Sequence, residues 1–288
     1  MKNILVTGAT GILGTAFIKS LLKQMQPNQI SVITRKKEKR AELEKQGFQA
    51  YLGDYNDTTA LEKAMKGVDT VLLISSGDQG DRMQEHKNVV NSAKKMKVKN
   101  IAYTSRSLVN RERLSNKLME EHFLTEDYIK QSGLNYIIFQ NALYMDTIPV
   151  FVGQEVFQKG IFMPAGNGKV AFALREEQAE AMANAMLNEP FENQTYKFTG
   201  NEAYSFYDVA KALTELSGKE VKYNAVEVAD FKSNMMQKGL PEPMVQKIVD
   251  FNVDIKNGQE ATVTNELEKK LDRKPTNLKE GLKQLFNL

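Results

Sequence analysis

Ile4-Leu5-Val6-Thr7-Gly8-Ala9-Thr10-Gly11-Ile12-Leu13-Gly14 is an apolar run that meets a turn with glycine at every third position and continues into an apolar-periodic stretch. The spacing predicts a strand, a tight turn and a helix from Ile12 to Met25. Glycine lets the backbone take left-handed or tightly folded conformations, and the free N–H groups at a helix start point at whatever lies above them. Gly8, Ala9, Thr10, Gly11, Ile12 and Leu13 therefore make a candidate phosphate cradle sized for a pyrophosphate. The usual dinucleotide fingerprint is G-x-G-x-x-G, whereas the spacing here is G-x-x-G-x-x-G. Its place between a strand at the chain start and a helix gives the motif its weight.

The same rhythm continues to about residue 145. β-rich runs fall at Ile4 to Thr7, Ile30 to Thr34, Gln49 to Leu52, Val68 to Ser75, Ile101 to Ser105 and Tyr136 to Gln140. Helical stretches at Lys37 to Gln46, Thr58 to Met65, Met83 to Lys97 and Leu118 to Gln131 separate the later runs. Such alternation predicts an α/β protein with a Rossmann-type doubly wound parallel sheet, since each right-handed crossover returns over the sheet. After Pro149 the pattern loosens around Phe162-Met163-Pro164-Ala165-Gly166-Asn167-Gly168-Lys169, with strands near Tyr196 to Thr199 and Val221 to Tyr223. Helices are expected at Gln178 to Leu187, Phe206 to Ser217 and Asn277 to Phe286. The expected division is a dinucleotide-binding domain over residues 1–148 and a smaller C-terminal α/β substrate lobe over 149–288, some of whose segments return to the Rossmann core.

At 288 residues, 26% charged and a net charge of +3, nothing global calls for nucleic acid or a membrane surface. There is no cysteine, which removes disulfides, thiolate nucleophiles and Cys-ligated zinc. With His86 and His122 the only histidines, no metal site is expected. The chain enters a core strand directly after Asn3, and no apolar run reaches the roughly 18 residues of a membrane helix. The expected setting is the cytoplasm, as a monomer or homodimer.

The end of the second strand speaks to which dinucleotide binds. Sites for NAD usually hold an acidic residue there for the ribose 2′-hydroxyl. This chain has Thr34-Arg35-Lys36-Lys37, so the guanidinium of Arg35 stands where the extra phosphate of NADP would lie, and NADPH is the expected cofactor. The other reading of Arg35 to Arg40 is the solvated start of a basic helix. Asp54, in Gly53-Asp54-Tyr55, is placed to accept from the adenine amino group or to serve as a turn residue.

These segments, with Leu72-Leu73-Ile74-Ser75-Ser76, Ile101-Ala102-Tyr103-Thr104-Ser105, His122 to Glu126 and Asn141-Ala142-Leu143-Tyr144, resemble the NmrA-like branch of atypical short-chain dehydrogenases. The similarity is greatest to its quinone- and triphenylmethane-dye-reducing members, and it runs through Gly166-Asn167-Gly168-Lys169 and Pro241-Glu242-Pro243. The resemblance implies an NADPH site that adds Ser75, Ser76 and Gly77, and Phe139, Gln140, Asn141, Ala142, Leu143 and Tyr144, to the glycine loop and Arg35. Gln140 departs from the arginine usual before that asparagine.

Short-chain dehydrogenases reduce ketones with Tyr-x-x-x-Lys on the helix after the fifth strand, the tyrosine protonating the nascent alkoxide. Placing Glu126 on the helix glutamate of extended members puts His122 at the lysine position and Leu118 at the tyrosine position. Leucine donates no proton. A quinone tolerates that loss, because hydride delivery leaves a phenolate-like anion whose conjugate acid has a pKa near ~10. A dye carbocation takes hydride and needs no proton. The expected function is NADPH-dependent hydride transfer to a small aromatic acceptor such as a quinone, with His122 as candidate catalytic residue, its pKa near ~6.5 suiting proton shuttling. Two other readings stand beside it: an NADP(H)-binding redox sensor of the NmrA type, and a nucleotide-sugar epimerase-like enzyme. His86 reads as a helix-surface residue, Ser105 as a turn or pocket hydroxyl, and Tyr144, Met163 and Phe172 as an acceptor wall or ordinary core.

Overall fold

Strand β1 (Ile4–Val6) is buried throughout, as a strand covered on both faces by crossover helices must be. The computed structural model, which describes residues 3–77, 80–153 and 155–288, continues from it through α1 (Ile12–Leu21), β2 (Ile30–Thr34), α2 (Lys37–Lys45), β3 (Gln49–Leu52), α3 (Thr58–Ala64), β4 (Thr70–Leu73), α4 (Arg82–Lys95), β5 (Asn100–Arg106), α5 (Lys117–Lys130) and β6 (Asn135–Asn141). Later come α6 (Ile148–Val152), α7 (Val156–Lys159), β7 (Ile161–Met163), β8 (Lys169–Val170), α8 (Arg175–Asn188) and β9 (Gln194–Phe198). The chain ends with β10 (Tyr204–Ser205), α9 (Phe206–Ser217), β11 (Tyr223–Ala225), α10 (Val228–Gln237), α11 (Glu242–Lys256), α12 (Glu266–Leu271) and α13 (Leu278–Phe286).

The main sheet has seven strands in the order β3-β2-β1-β4-β5-β6-β9, and the pairings from β3 to β5 are parallel. This is a Rossmann-type sheet whose strand order reverses between β1 and β4, the switch point outside which such sheets bind ligands. Helix α1 ends at Leu21, short of Met25. The amides of Lys23 and Gln24 reach back only three residues, to Ser20 and Leu21, and so tighten the chain toward Pro27. Helices α10, α11 and α12 were not anticipated.

The chain forms two compact units: unit 1 holds Met1–Ser105, Glu121–Gln140 and Glu176–Tyr196, and unit 2 holds Arg106–Glu120, Asn141–Arg175 and Lys197–Leu288. Unit 1 is built on Leu5, Val71, Leu73, Ile101, Tyr103 and Ile138 of the strands, with Val89, Val90 and Ile129 of α4 and α5 against them. Unit 2 has its own core, in which Met163 and Phe172 are almost wholly buried and Phe172 meets Phe206 edge-on. Those two are core residues, and the acceptor-wall reading fails for them. Within this unit Ser115 and Asn116 donate their amides to Asp254, and Val109 and Asn110 donate theirs to Gln259, which fixes the loop after β5 against the end of α11. No helix among the described residues is long and apolar enough to cross a membrane.

Candidate functional site

In unit 1 the loop from Gly8 to Leu13 has the form its glycines predict. Gly8 adopts φ +62°, a left-handed conformation that disfavours any residue with a Cβ, and its carbonyl accepts from the amide of Gly11. A Cβ on Gly14 would lie 2.3 Å from that same carbonyl oxygen, so helix and loop pack without side chains between them. Gly11 caps α1 with no side-chain hydrogen bond, and Thr10, Gly11 and Ile12 are exposed. The N-terminal amides of α1 are thus offered outward by a bare cradle, which fits an anion such as a pyrophosphate.

The loop rests on a hydroxyl network. Thr7 donates to the carbonyl of Leu72 and accepts from the amide of Ile74, while the Tyr55 phenol donates to Ile74 O at 2.7 Å and lies 3.1 Å from Thr7 Oγ1. Asp54 Oδ1 accepts from the amides of Asn56 and Asp57, so one of its oxygens takes the turn role. Arg35 is exposed, and among the described residues it forms no ion pair, whereas Lys39 and Arg40 pair with Glu42 and Glu44 along α2. The helical reading therefore holds for the later cations and leaves Arg35 available.

Beyond β4, Ser75 donates its amide to Thr104 and Ser76 donates its amide to His86 Nε2 at 3.0 Å. Arg82 Nε donates to the carbonyl of Ser76. The His86 ring is fully buried, which corrects the helix-surface reading. Because Nε2 accepts, Nδ1 carries the proton and donates to Thr125 at 2.8 Å, and the Thr125 hydroxyl in turn donates a hydrogen bond to the carbonyl of Glu121. Burial, followed by the charge of Arg82, lowers the His86 pKa to about 3. The buried Ser76 hydroxyl has no protein partner, an orphan beside a clamped backbone. Gly77 is exposed.

On α5, Leu118 and His122 are one turn apart and His122 is buried. Its Nδ1 lies 3.0 Å from the Tyr103 phenol, whose proton burial holds well above the usual tyrosine range. Arg82 carries no signal in the sequence, and Tyr103 stands in the segment Ile101 to Ser105 with no role assigned to it. Ser105 donates to Glu126 at 2.5 Å, and Gln140 donates to both Glu126 oxygens at 2.9 and 3.2 Å. Gln140 thus holds the helix glutamate where an arginine is usual. Phe139 stacks on Tyr196 and is wholly buried, and Gln140 is buried with its amide turned to Glu126.

In unit 2, Asn141, Ala142 and Leu143 are buried, with Ala142 donating to Phe198 O and Leu143 accepting from Ala173. The Tyr144 ring lies under the Arg175 guanidinium at 4.4 Å, and Arg175 also pairs with Asp146. Arg106, the last residue of β5, forms a short ion pair with the buried Glu260. An open cavity of about 860 Å³ lies among Phe151, Phe162, Phe231 and Met235, and none of the candidate cofactor-binding or catalytic residues lines it.

The glycine cradle, the strand order and the helix carrying His122 define a dinucleotide-binding α/β protein, and the chain belongs to the NmrA-like family, whose pattern matches residues 1–285. It is 35% identical over 286 residues to quinone oxidoreductase 2 of Escherichia coli (strain K12), with 99% of each chain covered. The crystal structure of an NADPH-dependent quinone oxidoreductase from E. coli, complexed with NADPH, matches with a TM-score of 0.92 at 34% identity, covering 99% of this chain and 100% of that one. The triphenylmethane reductase of Citrobacter sp. matches with a TM-score of 0.90 at 34% identity over 99% of this chain and 100% of its own.

Proposed function

We propose that the chain is an NADPH-dependent oxidoreductase that delivers hydride to a quinone-like or cationic aromatic acceptor, acting in the cytoplasm as a monomer or homodimer. The observation that carries the reading is a bare, outward-facing cradle at the start of α1 in a chain whose α5 offers Leu118 and His122 instead of a tyrosine and lysine. Bound NADPH supplies the hydride. The amides of Gly8 to Leu13 hold its pyrophosphate, Arg35 its 2′-phosphate, and Asp54 the adenine edge. Ser75, Ser76 and Gly77 line its path. Phe139 and Gln140 contribute backbone, and the Asn141 to Tyr144 segment continues the site.

His122 is the proposed proton carrier, oriented through Nδ1 by Tyr103. Since Leu118 offers no acid, the acceptor must form a stabilised anion or a neutral product. The test is NADPH consumption with benzoquinones, naphthoquinones, cationic triarylmethane dyes, simple ketones and aldehydes. Quinones or dyes should turn over and ketones should not, and His122→Ala should lower quinone turnover about ten- to a hundredfold, the low end of general acid–base effects. Ketones reduced as readily as quinones would defeat the reading, and tight NADPH binding without turnover of any acceptor would favour the sensor.

A further inference from the structure

Strand β4 pairs with β1 in the register Val6 to Leu72, so the residues that follow it run beside the glycine cradle. The approach is close: a Cβ on Gly8 would lie 3.1 Å from Ile74 Cβ, and Thr7 accepts from the Ile74 amide. Past Leu73 the strand has ended, and the polar groups of the backbone need partners other than a sheet ladder. At Ser76 two side chains of α4, one turn apart, take that part. Arg82 Nε donates to the carbonyl at 3.1 Å, and His86 Nε2 accepts from the amide at 3.0 Å. Both side chains belong to buried residues, 6% and 0% exposed. The clamp continues beyond α4. His86 Nδ1 donates to Thr125, the Thr125 hydroxyl donates to the carbonyl of Glu121, and Glu121 Oε2 lies 3.4 Å from Arg82 Nη1. Ser76, His86, Thr125, Glu121 and Arg82 thus close a ring, all of it inside unit 1. His122 follows Glu121 on α5, and the Tyr103 phenol it meets belongs to a ring that packs edge-on against His86, with centroids 5.4 Å apart.

We infer that Arg82 and His86 are positioning residues, which set the loop after β4 in the shape that NADPH meets and, through Thr125 and Glu121, tie that loop to the helix carrying His122. The inference rests on the proposed reading in which Ser75 to Gly77 line the cofactor's path and His122 carries the proton. A guanidinium and an imidazole that grip one peptide from its two ends leave it a single geometry, and in a buried setting such a network is stiffer than its separate bonds. A Cβ on Gly77 would meet none of the described residues within 4 Å, so the loop is open on the side away from the clamp. Because the ring closes, a shift of the loop and a shift of α5 strain the same hydrogen bonds. That matters for a reaction between held partners, where a misplacement of about 1 Å lowers the rate about a hundredfold.

In the full chain, His86→Leu removes the acceptor of the Ser76 amide and should raise the NADPH dissociation constant about tenfold, the order of one lost hydrogen bond. Arg82→Met, which removes the donor to the Ser76 carbonyl, should act in the same direction. The side chain of His86→Gln can accept from Ser76 and donate to Thr125, and should restore most of the affinity. Thr125→Val keeps the side-chain shape and opens the ring away from the loop. It should weaken NADPH about threefold and lower quinone kcat at saturating NADPH about tenfold. Urea unfolding of each variant separates two kinds of loss, since a purely structural role lowers stability and leaves the dissociation constant of the folded protein unchanged. Should His86→Leu fail to fold, wild type gives the answer itself, because a clamped Ser76 amide exchanges slowly with deuterated solvent before NADPH is added. Rapid exchange there, wild-type affinity in a folded His86→Leu protein, or equal weakening by the Leu and Gln variants would overturn the clamp, and an unchanged kcat in Thr125→Val would overturn the tie to His122. NADPH binding lost in Gly11→Val and intact in His86→Leu would leave the cofactor site standing without the clamp. If wild type reduced no acceptor, the reductase reading would fall while the dissociation constants still judged Arg82 and His86.

Discussion

The two units build their polar centres in different ways. In unit 1, Ser76 meets His86 ten residues away and Ser105 meets Glu126 twenty-one residues away, and each group at these strand ends answers another until one hydroxyl, on Ser76, is left over. In unit 2 the partners Arg106 and Glu260 are 154 residues apart, and the pair leaves Arg106 Nε and Glu260 Oε2 buried without a protein partner. The first centre is a backbone cradle stiffened by side chains, and the second is a pair of side chains brought together by topology. Backbone chemistry of the first kind leaves a local trace in sequence, and the second kind leaves none.

The sharpest way to break this comparison is through the two glycines of the cradle. Gly11 has extended backbone angles open to any residue, and an added Cβ would meet only Gly8 O at 3.2 Å. Gly14 has no such room, since its Cβ would also lie 2.9 Å from Ala9 Cα. Gly11→Val should therefore keep the fold and weaken NADPH at least about a hundredfold, near 2.7 kcal/mol. Gly14→Ala should instead lower stability by about 3 kcal/mol, the upper range for overpacking. Calorimetric titration and thermal unfolding of the two variants separate the outcomes, and intact NADPH affinity in a folded Gly11→Val protein would place the pyrophosphate elsewhere.

The same contrast explains what could be read from the chain. The strands of unit 1 were visible because parallel strands buried on both faces are short continuous apolar runs set between helices, as Val71 to Leu73 and Ile101 to Tyr103 are. Helix α10 was not visible, because Phe231 is its one buried residue and its apolar stripe is correspondingly thin. Arg35 stands out because the role proposed for it depends on its place at a strand end. His86 was misjudged because a polar helix segment, Gln84-Glu85-His86-Lys87-Asn88, gives no sign that one member turns inward to a loop amide. Arg106 and Glu260 carry no local pattern at all, and only the fold reveals them.

A smaller effect tests whether the unit 1 network is complete in the protein itself. His86 must stay neutral to accept from Ser76, and burial and Arg82 lower its pKa from 6.5 to about 3. Between those values the unfolded chain takes up a proton that the folded chain refuses, so stability is fully present above about pH 6.5 and declines as pH falls toward 3. Linkage puts the loss between pH 7 and pH 5 at about 2 kcal/mol for this residue alone. His86→Gln removes the titration, and its urea unfolding free energies at the two pH values should converge by that amount relative to wild type. An unchanged difference would mean that His86 is already solvated in the folded protein.

The smallest effect concerns Arg35, the proposed contact to the 2′-phosphate. Arg35 is exposed and without an ion pair among the described residues, so its guanidinium is hydrated before the cofactor arrives. A phosphate contact made there exchanges water for a charge-assisted pair in a partly screened setting, and its net worth is modest. NADPH should bind at least tenfold more tightly than NADH, which corresponds to about 1.4 kcal/mol. Arg35→Asp should reverse that order, since a carboxylate repels the 2′-phosphate and accepts from a 2′-hydroxyl. The preference should also shrink with added salt, unlike the contribution of the glycine cradle, whose amides carry no formal charge. Dissociation constants for both nucleotides at low and high ionic strength decide the matter. Equal affinities in wild type would remove Arg35 from the site, and a preference indifferent to salt would mean that the discriminating group is buried and lies elsewhere in unit 1.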